Sequence, residues 1–138
     1  MTHLYLDASA LMKLVVTERF SAELGALVAG RSVISAELAV TELMRATKRL
    51  IAATPGSVDL LGSRLPSLLE RVTFLSVDRE ICELAGRLDD LHLGTLDAIH
   101  VAGAVAAGDD VEAFVTYDRQ QARAARLAGF EVSAPGLG

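Results

Sequence analysis

The chain has 138 residues, a formal net charge of -5, 51% hydrophobic residues and one cysteine, Cys82. This length suits a single domain, 1–138, whose core needs no staples. The lone cysteine excludes an internal disulfide and a thiolate-rich zinc site, and it fits a reducing cytoplasm. No apolar run reaches the roughly 18 residues that span a bilayer. Met1-Thr2-His3 opens no basic-then-apolar leader, so neither a membrane partner nor a signal peptide is expected. An acidic balance also disfavours broad nucleic-acid binding, because phosphate contacts want Lys and Arg.

Short apolar runs alternate with longer helical patterns. "HLYL" (3–6) reads as a strand and is followed by a helical pair, 9–16 and 21–29. "SVIS" (32–35) precedes a long helix over 36–53, stopped by Thr54-Pro55-Gly56. Next comes a helical pattern over 57–71 in which Pro66 predicts a kink or a break. "TFLSV" (73–77) leads into a helix over 78–91, then one over 96–107 that Gly108 closes. "AFVTY" (113–117), a helix over 119–128 ended by Gly129, and "FEVS" (130–133) complete the chain. The strand runs alternate weakly, as strands covered on both faces do. The β-α alternation implies an α/β fold, a three-layer α/β/α sandwich around a mainly parallel sheet of 4–5 strands.

Ligands of such folds sit beyond the carboxyl ends of the strands. Asp7 and Asp118 end strand runs there, Asp97 opens a helix, and Glu42 lies about two turns into another. Each acid also has an ordinary structural reading. Asp7 or Ser9 can cap the first helix, and the sequence leaves that choice open. Glu42 lines up with Arg45 and Arg49, opposite an apolar face of Leu43, Met44, Thr47 and Leu50, as on a solvated helix surface. Asp97 suits a helix dipole with Thr95 as cap. Its helix is apolar on nearly every face, so this acid should be buried and want a partner. His100 could be that partner, although a core histidine is the commoner role. Asp118 with Gln121 has capping-box spacing, and Asp78 reads as a plain cap. Gathered at one end of a sheet, three or four carboxylates would raise one another's pKa. A hard divalent cation, Mg²⁺ or Mn²⁺, removes that cost. His3, His92, His100 and Cys82 make no zinc set.

The stretches "LYLDASALMKL", "TELMRA", "LDAIHVAGA" and "VTYDRQQARAA" resemble, in order and spacing, the four acidic motifs of PIN-domain ribonucleases, in particular the VapC-type toxins. The resemblance spans nearly the whole chain. It implies a metal-dependent endoribonuclease in which Asp7, Glu42, Asp97 and Asp118 form the acidic cluster around Mg²⁺ or Mn²⁺. In that reading Asp7 and Asp97 hold the ion, Asp118 joins directly or through water, and Glu42 binds a second ion or orients the attacking water. Asp118 matches the family's most variable acid. Ser9 and Thr116 match polar positions beside the first and fourth acids. Arg45 matches a basic position that touches the scissile phosphate or pairs with Glu42. The resemblance further implies an RNA substrate, a cognate antitoxin and a homodimer. Lys13, Arg19, Arg45, Lys48, Arg49, Arg79 and Arg119 are candidates to line the RNA approach. The first two helices carry many large apolar residues, Leu11, Met12, Leu14, Val15, Val16, Phe20, Leu24, Leu27 and Val28; core packing accounts for most of them, and the surplus suits the antitoxin groove that the resemblance implies.

Other folds with early acids fit less well. A phosphoacceptor receiver wants paired acids after the first strand and a late lysine, but the lysines here are Lys13 and Lys48. A haloacid-dehalogenase-type phosphatase wants an acid where Ser9 stands. A catalytically inactive interaction module would have no reason to keep the acids. Neither GxGxxG nor a GK[ST] loop is present for nucleotide binding.

Overall fold

Along β1 (His3–Leu6), Leu4 and Leu6 face one side of a sheet and Tyr5 the other, and all three are buried. A central strand with helices on both faces requires this pattern. The computed structural model describes residues 1–137, apart from the side chain of Leu60. β1 is followed by α1 (Ala8–Val15), α2 (Ser21–Val28), β2 (Val33–Ala36), α3 (Leu38–Ala53), α4 (Val58–Arg71) and β3 (Thr73–Leu75). Then come α5 (Arg79–Gly86), α6 (Thr95–Ala107), β4 (Val111–Val115), α7 (Arg119–Leu127) and β5 (Val132–Ser133). The five strands are parallel, in the order β3-β2-β1-β4-β5. One core joins Leu4 and Leu6 to α1–α4, and the other joins Tyr5, Ile34 and Phe114 to α6 and α7. With α5 packed on α6, the result is the expected three-layer sandwich.

Several local expectations need correction. α4 runs unbroken through Pro66. Proline forfeits its hydrogen bond to the carbonyl four residues back. That residue is Gly62, and both positions are exposed, so water can serve the freed carbonyl. α5 stops at Gly86 instead of Leu91, because Asp90 turns its carboxylate onto the His92 amide at 3.1 Å and ion-pairs with Arg123. This side-chain turn competes with helix. The α3 core line is Ala39, Leu43 and Thr47, which leaves Met44 outside and 55% exposed. Thr95 is not a cap: Gly94 holds that position, without a side-chain hydrogen bond.

Gly108 and Gly129 end α6 and α7 with φ of 82° and 97°, as their positions in the sequence predict. Asp78 also caps as expected, its carboxylate accepting from the Ile81 amide at 3.0 Å. Urea unfolding of Asp78→Ala should show a loss of about 1 kcal/mol. Its catalytic rate should match wild type, since Asp78 caps α5 and is not among the charges that act on Asp7 or Asp97.

Candidate active site

The chain winds outward from β1 through β2 to β3, then returns to the other side of β1 as β4. Beyond the carboxyl ends of β1 and β4 the connections therefore diverge, and a crevice opens. Asp7 follows β1 directly, and Thr116 and Asp118 follow β4.

Asp7 is the N-cap of α1, and its Oδ1 accepts from the Ala10 amide at 3.0 Å. Ser9 does not cap. Its hydroxyl donates to Asp7 Oδ1 at 2.7 Å and accepts from the Tyr117 amide at 3.1 Å. Thr116 Oγ1 donates to Asp7 Oδ2 and accepts from the Asp118 amide. Three donors thus occupy the carboxylate, and one of its roughly four lone-pair sites remains, on Oδ2. Asp7 is only 3% exposed, and burial holds its carboxyl above the usual range even though Ser9, Thr116 and the Ala10 amide pull the other way.

Asp118 caps α7 through the Gln121 amide at 2.9 Å, and its side chain stands exposed. The return half of the expected capping box is missing: the side-chain amide of Gln121 is fully buried and makes no protein hydrogen bond. Asp97, in the first turn of α6, is half-buried. Its carboxyl is raised first by burial, then by the negative charges of Asp118 and Asp7, with Glu42 adding to them and His100 opposing. The acids are therefore electrostatic neighbours. Among the described residues no lysine or arginine pairs with Asp7, Asp97 or Asp118.

Glu42 departs from the solvated-face reading. It lies on α3 and accepts from His100 Nε2 at 2.7 Å instead of pairing with Arg45 or Arg49. His100 is the core residue expected, 1% exposed, and its other nitrogen meets the Tyr5 hydroxyl at 2.9 Å. Tyr5 was not singled out by sequence reasoning. A signal was available, since a tyrosine in a buried strand needs a partner for its hydroxyl. Beside Glu42, a hollow of about 490 Å³ is lined by Leu38, Thr41, Arg45, Arg49 and Leu96.

Leu11, Val15, Leu24 and Val28 are buried, and Met12, Leu14, Val16 and Leu27 are partly buried against the same core, so core packing accounts for much of the apolar content of α1 and α2, as expected. Two of the candidate cations are engaged elsewhere. Lys13 pairs with Glu18 and lies 4.8 Å from the Tyr117 ring, and Arg79 pairs with Glu83.

A PIN-domain model matches residues 4–127. The ribonuclease VapC46 of Mycobacterium tuberculosis is 38% identical over 136 residues, 98% of this chain and 99% of that protein. The chain belongs to the PIN-domain family of VapC ribonucleases. VapC47 of Mycobacterium tuberculosis is 32% identical over 138 residues, covering 96% of this chain and 97% of that one. The fold recurs in the crystal structure of Mycobacterium tuberculosis VapC20, a sarcin-ricin loop cleaving toxin, with TM-score 0.63 and 18% identity over 96% of this chain and 99% of that one. It recurs also in VapBC2 from Rickettsia felis bound to a promoter DNA fragment, with TM-score 0.69 and 14% identity over 96% and 98%.

For this VapC-family chain, the donors in the crevice suit a hard cation in type, being carboxylate oxygens, with Asp97 held up in part by the charges of Asp118 and Asp7. Among the described residues, no three His, Cys, Asp or Glu converge into a cage for a bare ion.

Proposed function

We propose that this VapC-family endoribonuclease hydrolyses RNA phosphodiesters at Asp7, Asp97, Asp118 and Glu42 with the aid of Mg²⁺ or Mn²⁺. One observation carries the reading. A buried carboxylate, Asp7, has Asp97 and Asp118 as electrostatic neighbours, and no lysine or arginine among the described residues pairs with them. Proteins rarely accept such a cost unless a cation offsets it.

Asp7, through the free position on Oδ2, and Asp97 would hold the ion, with Asp118 reaching it directly or through water. When bound, the ion supplies charge neutralisation at the phosphate and lowers the pKa of water. Ser9 and Thr116 fix the Asp7 carboxylate from both sides. Glu42 stands on the opposite helix, where it orients the attacking water. Attack on phosphorus breaks the bond to the 3′ oxygen, which takes a proton and leaves as a 3′-hydroxyl. The other product carries the 5′-phosphate. Arg45 and Arg49, beside Glu42, would contact the RNA backbone. With four aromatic residues per hundred and no Trp, selection by RNA shape is favoured over base stacking.

A cognate antitoxin and a homodimer belong to the same proposal. No helix among the described residues is long and apolar enough to cross a membrane, which agrees with a proposed cytoplasmic site of action. Total RNA incubated with the purified protein should be cut in Mg²⁺ or Mn²⁺ and left whole in EDTA. Asp97→Asn should cleave at least about a hundredfold more slowly, since it removes a ligand worth several kcal/mol of transition-state stabilisation. Equal cleavage in EDTA would refute the metal-dependent reading.

A further inference from the structure

The Tyr5–His100–Glu42 chain crosses from the sheet to the crevice entirely through side chains. Tyr5 is 0% exposed and His100 1%, and the two rings meet edge to face at 79°. The contacts fix the direction of donation. Glu42 as a carboxylate only accepts, so the proton at the 2.7 Å contact belongs to His100 Nε2. A phenol carries its own proton to donate, and the Tyr5 hydroxyl lies 2.9 Å from Nδ1. Donation to Nδ1 leaves Nε2 as the nitrogen that carries hydrogen.

A second observation comes from α6. Gly103 lies one turn after His100, and a Cβ built there would stand 3.1 Å from the Tyr5 hydroxyl. An interior helical glycine costs roughly 1 kcal/mol against alanine. Here the missing side chain leaves the space that the hydroxyl occupies. The Tyr5 ring is separately secured by its stack on Phe114, 5.0 Å away at 21°. Removing the hydroxyl therefore leaves the ring packing in place.

We propose that Tyr5 and His100 are positioning residues for cleavage: the Tyr5 hydroxyl keeps the His100 proton on Nε2, and Nε2–H aims the Glu42 carboxylate into the crevice. This rests on the assignment of Glu42 to the reaction. The role is analogous to the outer hydrogen bonds that orient groups around catalytic centres, whose loss costs about 10- to 100-fold.

The test is a double-mutant comparison with Mg²⁺ and RNA, joined to nitrogen NMR of the histidine side chains in metal-free protein. Tyr5→Phe should lower kcat about tenfold with KM unchanged. His100→Gln should stay close to wild type, because the glutamine amide nitrogen reproduces the Nε2 donor and has no tautomer to select. In the His100→Gln background, Tyr5→Phe should then cost nothing further. NMR should find Nδ1 of His100 without a proton in wild type. A protonated Nδ1, full activity in Tyr5→Phe, or an equal loss from Tyr5→Phe in both backgrounds would overturn the proposal, the last by showing a packing effect. Glu42→Gln separates the two levels. If it cleaves like wild type, the assignment of Glu42 itself is wrong. If it is inactive while Tyr5→Phe and His100→Leu cleave normally, Glu42 acts without this support and the proposal fails alone.

Discussion

Asp7→Asn should lose RNA cleavage by about a thousandfold or more while keeping its fold, because removing roughly 4 kcal/mol of electrostatic stabilisation corresponds to three decades in rate. The fold should survive because asparagine caps a helix about as well as aspartate. Its side-chain oxygen can still take the Ala10 amide, and it remains within reach of Ser9 or Thr116. The substitution also removes a charge whose burial is unfavourable. Melting temperature should therefore match or exceed wild type. Asp7→Ala is the contrasting variant. It should lose activity equally and also lose the cap, about 1 kcal/mol, with the Ser9 and Thr116 hydroxyls left unpaired. Circular dichroism melts beside single-turnover RNA cleavage separate these outcomes. An active Asp7→Asn would show that Asp7 is only a cap.

Three aspartates here make the same cap. Asp7, Asp78 and Asp118 each accept the amide three residues on, at 2.9–3.0 Å. Capping is thus compatible with the proposed role in the site, and local sequence could not sort the three. What distinguishes Asp7 is burial, the hydroxyl of Ser9 beside it and, from far along the chain, the Thr116 hydroxyl after β4 and the neighbouring acids Asp97 and Asp118. The ordered spacing of four acidic motifs carried that long-range information, where each acid alone did not. The sheet was legible for a simpler reason, since buried parallel strands leave apolar runs between helical patterns. Glu42 was misread by pattern because it shares a helix side with Arg45 and Arg49, and only the approach of α6 brings His100 to it. Tyr5 and Gly103 carry their meaning as a pair almost a hundred positions apart, which no local pattern exposes.

Metal-free wild type should lose stability relative to Asp7→Asn as pH rises from acid to neutral, and a divalent cation should reverse that loss. Asp7 has a folded-state pKa raised above the usual 3.8. Between that value and the raised one, the folded chain holds a proton that the unfolded chain has released. Unfolding free energy therefore falls with rising pH across this window. The stabilisation is complete below the unfolded pKa and is gone once pH passes the folded one. Asp97 is raised in the same direction, with solvent weakening its effect because it is half-exposed. Urea titrations of both proteins in EDTA at several pH values isolate the Asp7 part as their difference. Parallel profiles would mean that burial does not raise Asp7. At neutral pH, an ion at a hundred times its dissociation constant adds about 2.7 kcal/mol to a state that binds it. For a chain of this size that is a melting shift of about 10 °C. Mn²⁺ should produce this shift in wild type and far less in Asp7→Asn, because the variant lacks the charge that makes the ion welcome. The two ways of discharging the crevice, a proton or a cation, then compete at one carboxylate, and cleavage should require the second.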